Sequence, residues 1–75
     1  MTTNGASRGT VTVNGRPRTL DEQHLAELMR AMGHDPARPG IAVAVNDEVV
    51  PRSQWTVRAV RSGDRIEIVG AEQGG

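Results

Sequence analysis

The sequence predicts an α+β fold, a mixed sheet of four to five strands with one main helix packed across it. Three observations carry that prediction. Val11 and Val13 alternate with Thr10, Thr12 and Asn14, and Asn14-Gly15 follows at once. Alternation is the period of a strand with one buried face, and Asn-Gly suits a type I′ hairpin turn, whose two central residues need positive φ. Leu25, Leu28, Met29 and Met32 then recur at i, i+3, i+4 and i+7, the spacing of an apolar helical stripe. Finally, Ile41 to Val45 and Arg65 to Val69 read as later strands to which that helix crosses back.

Taken in order, residues 1–9 read as a disordered or weakly ordered extension, 10–69 as the folded domain and 70–75 as a flexible tail. The strand returning from Asn14-Gly15 contains Pro17, which lacks a ladder donor and so belongs at a sheet edge. Thr19 and Glu22 have capping-box spacing, which predicts a helix starting there, and Gly33 is placed to end it in a left-handed conformation. Asp35 to Gly40, with two prolines, is a rigid loop. The unbroken apolar run Ile41-Ala42-Val43-Ala44-Val45 predicts a central strand buried on both faces. Asn46-Asp47-Glu48 turns the chain into a short strand at Val49-Val50, and Pro51 stops it. Ser53 is placed to cap one helical turn carrying Trp55, whose ring is expected to cover one end of the core. Arg61-Ser62-Gly63-Asp64 has turn composition and leads to the last strand.

At 75 residues the chain is one domain near the lower limit for a self-sufficient core. It has no cysteine, which removes disulfides and thiolate nucleophiles, and His24 and His34 fit no local metal-ligand spacing. Nine basic and nine acidic residues, with neither sign in blocks, argue against a nucleic-acid partner. The apolar runs are too short to span a membrane, and Met-Thr-Thr-Asn-Gly is no signal peptide, so a cytoplasmic protein is expected. No nucleophile stands beside a base, so no catalytic residue and no metal site are expected. The protein reads as a non-enzyme.

A hairpin followed by a helix crossing to a later strand sets the first and last strands side by side, the β-grasp or ubiquitin-like arrangement. On that layout the chain resembles the ThiS family, the sulfur carrier proteins of thiamine biosynthesis. The resemblance rests on Val13-Asn14-Gly15, Ile41 to Asn46, Val50-Pro51-Arg52 with Trp55, Gly63 to Ile68, and Gly74-Gly75. Val-Pro-Arg-x-x-Trp together with the diglycine is its specific part.

The resemblance implies a protein cosubstrate that binds no cofactor itself. An E1-like adenylyltransferase of the ThiF type would use ATP and Mg²⁺ to adenylate Gly75. A sulfur donor protein would convert it to a thiocarboxylate, and a thiazole synthase of the ThiG type would take the sulfur. Gly74, without a Cβ, suits threading into a narrow channel. Partner contacts are expected on the exposed sheet face near the last strand, where Arg52, Arg58 and Arg65 read equally as contacts or as solvated charges.

Three other readings share some of these features. They are the small subunit of molybdopterin synthase or another metabolite sulfur carrier, a ubiquitin-like protein modifier, and a β-grasp binding module with an idle tail. All nine basic residues are arginine. Coding bias accounts for that, and so does a scaffold that offers no amine to its own activated carboxylate.

Overall fold

The computed structural model describes residues 8–70. Five strands and one helix follow in the order β1 (Thr10–Val13), β2 (Arg16–Thr19), α1 (Leu25–Ala31), β3 (Ile41–Val45), β4 (Glu48–Val49) and β5 (Arg65–Gly70). A 3₁₀ turn over Arg52–Gln54 lies between β4 and β5. The sheet order is β2-β1-β5-β3-β4, with β5 parallel to β1 and antiparallel to β3. The last strand is therefore the central one, and β2, which carries Pro17, is an edge as expected.

One helix covers one face of this sheet, and that decides which side chains are buried. Val11 and Val13, Val43 and Val45, and Ile66 and Ile68 form the core with Leu25, Leu28 and Met29 of α1. Each such side chain contributes about 1.5–3 kcal/mol relative to exposure. The expectation that β3 is central and buried on both faces is corrected here. β3 is the neighbour of edge strand β4, Ala42 is exposed and Ala44 half-buried, so only Val43 and Val45 are fully enclosed. An apolar run containing alternate alanines is a one-sided strand whose outer face is small rather than polar.

The helix start also differs from the capping-box expectation. Thr19 ends β2, and the fully buried Leu20 donates its N–H to the Gly9 carbonyl at 2.7 Å and accepts from the Arg8 N–H at 2.6 Å. These bonds extend the hairpin ladder past both strand ends, so Thr19 is held in sheet geometry and cannot cap. The cap falls at His24, where the Glu27 carboxylate accepts the backbone N–H groups of Gln23 (2.9 Å) and His24 (3.2 Å). Glu22 instead approaches Arg18 at 3.7 Å.

The helix end is as expected. Gly33 has φ +89°, its N–H bonds the carbonyl of Arg30 at 3.0 Å, and the N–H of His34 bonds that of Met29 at 2.8 Å. That pair of bonds is a Schellman motif. Because α1 stops at Ala31, Met32 leaves the helical stripe and is 37% exposed.

Trp55 is buried in the core, and its Nε1 donates to the Val50 carbonyl at 2.9 Å. Pro51, not Ser53, holds the N-cap position of the 3₁₀ turn, because the N–H of Gln54 closes on the Pro51 carbonyl and leaves Ser53 inside the turn. The last strand runs one residue further than expected, to Gly70, which pairs with Ile41. Among the described residues, no helix is long and apolar enough to cross a membrane.

Candidate functional site

The proposed reactive end, Gly74-Gly75, lies outside the described residues. What the structure shows is the platform from which that end leaves. β5 is buried at Ile66, Ile68 and Gly70 and exposed at Arg65, Glu67 and Val69, and its last residue is paired to Ile41. β1 pairs with β5 at Arg65 and Ile66, and β3 pairs with it along its length to Gly70, so the departure point is held on the β3 side.

A side chain from the first turn adds to that hold. Asn14 Oδ1 accepts the N–H of Ile68 at 2.9 Å, and Asn14 Nδ2 donates to the Ile68 carbonyl at 3.1 Å. The amide thus presents a peptide-like donor and acceptor to β5 where the main chain of β1 has already turned away. Sequence reasoning gives Asn14 a turn role and misses this one. The available signal is its residue type, since an amide matches both groups of a strand residue and an Asp carboxylate matches only the donor.

The face opposite α1 is open. Cross-strand pairing sets Val49 beside Ala44 and Ala44 beside Glu67, while Ala42 lies beside Val69. Val49 is 77% exposed and Val69 60% exposed. The two alanines make a low floor between these valines, and the resulting apolar strip reaches Val69, one residue from the end of β5.

The three arginines named as contacts or solvated charges are used differently. Arg65 pairs with Asp47 through two bonds, at 3.2 and 3.0 Å, and this guanidinium holds the Asp47 carboxyl below its ordinary value. Arg52 stacks over Trp55 with its guanidinium carbon 4.6 Å from the ring centroid, and it donates to the carbonyls of Pro36 and Arg38. It therefore ties the α1–β3 loop to the core, which gives the Val-Pro-Arg-x-x-Trp segment a structural role. Arg58 lines a polar concavity of about 320 Å³ with Asn46, Ala59, Arg61 and Asp64. That concavity lies at the start of β5, away from Gly70.

His24 is the helix cap and His34 follows the Schellman glycine. Among the described residues, no group of three His, Cys, Asp or Glu side chains could hold a metal ion.

A profile described as the ThiS family matches residues 11–75. The sulfur carrier protein ThiS of Thermus thermophilus is 37% identical over 65 residues, covering 87% of this chain and 98% of that protein. The sulfur carrier protein ThiS of Escherichia coli is 36% identical over 53 residues, covering 71% and 77% respectively. The crystal structure of thiamine biosynthesis protein ThiS from Geobacter metallireducens superposes with a TM-score of 0.69 at 31% identity, covering 81% of this chain and 91% of that one.

Proposed function

The chain belongs to the ThiS family of sulfur carriers in thiamine biosynthesis, and from that membership we propose that its working group is the Gly75 carboxylate. The observation that carries the proposal is the reach of the family match, which runs through Gly74-Gly75 on a chain whose central strand ends at Gly70. An ionised α-carboxylate is a poor electrophile at neutral pH, since its pKa is about 3.3–3.7. Adenylation by a ThiF-type enzyme with ATP and Mg²⁺ supplies a leaving group. The terminal sulfur of a donor persulfide then attacks the carbonyl carbon and displaces AMP to give an acyl disulfide. A second thiol reduces its S–S bond by forming a disulfide with the donor sulfur and releases the thiocarboxylate, and a ThiG-type thiazole synthase accepts the sulfur. The protein is a cosubstrate in this scheme and catalyses no step.

The open sheet face supplies binding area that the tail lacks. Its apolar strip between Val49 and Val69 ends where the tail begins, so a partner seated on it also receives the tail. Within the tail, Gly74 keeps the path to the reacting carbonyl unobstructed.

The experiment is incubation with ATP, Mg²⁺, the cognate adenylating enzyme and a sulfur donor. Release of pyrophosphate and replacement of one oxygen by sulfur in the intact mass are expected. Ladders of conjugates on other proteins would instead mark a modifier. Gly74→Ala should lower the rate of adenylation by about tenfold or more, equivalent to about 1.4 kcal/mol, while thermal unfolding stays unchanged. An unaltered rate would remove the threading role of Gly74.

A further inference from the structure

The nine cations divide by what the fold asks of them. Three use a guanidinium: Arg52 forks to two carbonyls and stacks on Trp55, Arg65 holds Asp47 through two bonds, and Arg18 approaches Glu22. Lysine cannot reproduce the planar fork of Arg52 and Arg65. Arg16, Arg30, Arg58 and Arg61, by contrast, make no side-chain hydrogen bond or ion pair among the described residues. A lysine would serve the fold equally well at those four positions, yet the chain contains none, and it contains no cysteine or tyrosine either. Packing does not account for the choice.

We infer that this surface, free of side-chain amines and thiols, is functional: it leaves the activated Gly75 acyl group no such acceptor on its own scaffold, so the acyl group passes to an external sulfur nucleophile. The inference rests on the carrier reading above. The reaction avoided is ordinary acyl transfer. A neutral ε-amine would attack the carbonyl carbon, the bond to the leaving oxygen would break with its electron pair going to AMP, and the nitrogen would give a proton to water. The product, an internal or intermolecular amide, is useless for sulfur transfer. A lysine on the same chain would compete strongly, because a short tether gives an effective concentration of about millimolar.

Distances on the sheet show where such an amine matters. Five residues beyond Gly70 span at most about 17 Å. Arg16 pairs with Val13, and Val13 with Ile66, two strands across and four residues back from Gly70. At about 3.3 Å rise and 4.8 Å strand spacing, that is about 16 Å, within the tail's span. Ala42, exposed and opposite Val69, is closer still. Arg61 precedes the start of β5, itself about 17 Å from Gly70, and so lies at or past the limit. β1 runs parallel to β5, so the chain also enters the sheet at the pole away from Gly70.

The test prepares the full chain as a Gly75 thioester of a small thiol, which needs no enzyme, and compares it with Arg16→Lys, Ala42→Lys and Arg61→Lys. Intact mass and peptide mapping should show only hydrolysis for the parent chain. Internal amides should form in Ala42→Lys at least about tenfold faster than in Arg61→Lys, because Ala42 lies opposite Val69 well inside the tail's span, with Arg16→Lys near the limit and between the two. Equal survival of the thioester in all four proteins, or amide formation in the parent, would overturn the inference. A parallel arm with ATP and the adenylating enzyme separates the two claims. Absence of pyrophosphate release from the parent would sink the carrier reading and the inference with it, whereas normal release with no amide in the lysine variants would sink the inference alone.

Discussion

The two hairpin turns share a plan and differ in where their asparagines reach. Asn14-Gly15 and Asn46-Asp47 are both two-residue connections with positive φ throughout, at 52° and 83° in the first and 52° and 70° in the second. Both asparagine amides dock on or beside β5. Asn46 sits at its start, accepting the N–H of Arg65 at 2.9 Å and donating to Asp64 at 3.0 Å, in the open. Asn14 reaches further along the strand and clasps both backbone groups of Ile68 in a partly buried site, close to where β5 ends at Gly70. One turn is held by groups that water can replace, the other by groups it replaces poorly. The stronger clasp stands nearer the end from which the tail departs.

Breaking that comparison at its strongest point is the most informative step. Asn14→Ala leaves the N–H and C=O of Ile68 without their side-chain partners, and should cost about 2–3 kcal/mol. Thermal unfolding should fall by about 8–24 °C, and Asn14→Asp, which restores only the acceptor, should lie between. Gly15→Val comes next, since a β-branched residue at positive φ costs about 1–3 kcal/mol. It should lower the midpoint in denaturant with m unchanged. Asn46→Ala should cost about 1–2 kcal/mol, mostly for alanine at positive φ, with little more for its solvated partners. A loss equal to that of Asn14→Ala, which bears the same backbone cost besides its lost hydrogen bonds, would erase the distinction between the turns.

The smallest effect is one of pH. Arg65 holds Asp47 below its ordinary value of 3.8, so this carboxylate contributes stability above that value and loses it as the pH falls through the lowered native value. The first turn, Asn14-Gly15, contains no ionisable group. Amide exchange measured between neutral pH and about pH 3, corrected for intrinsic rates, should therefore show acid loosening at Asp47 and Glu48 but not at Gly15.

Local chemistry is legible wherever one residue's backbone requirement decides the outcome. Asn14-Gly15, Gly33 and Pro17 each fix a turn, a helix end or an edge, and the fold contains them where the sequence places them. Trp55 is legible because a lone aromatic side chain has few places to go in so small a core. Long-range competition is not legible. Thr19 has the residue type and spacing of a cap, but the ladder through Leu20 claims its backbone first. The one-sided burial of β3 follows from a single helix covering one face of the sheet, as the alternating burial of central β5 also shows, and hydrophobicity along one strand does not report how many faces are covered. At the candidate site, the amide of Asn14 acts across 54 positions of sequence, and no local pattern around it specifies Ile68 as its partner.

The position of β5 has a mechanical consequence. Any pull on the residues after Gly70 acts along the axis of a strand paired with β3 through to Gly70 and with β1 at its start. That force is shared among all the lateral bonds at once, in shear, whereas a tail hung from an edge hairpin would peel open one bond at a time. The fold can therefore resist traction at the C-terminal end of β5 without coming apart.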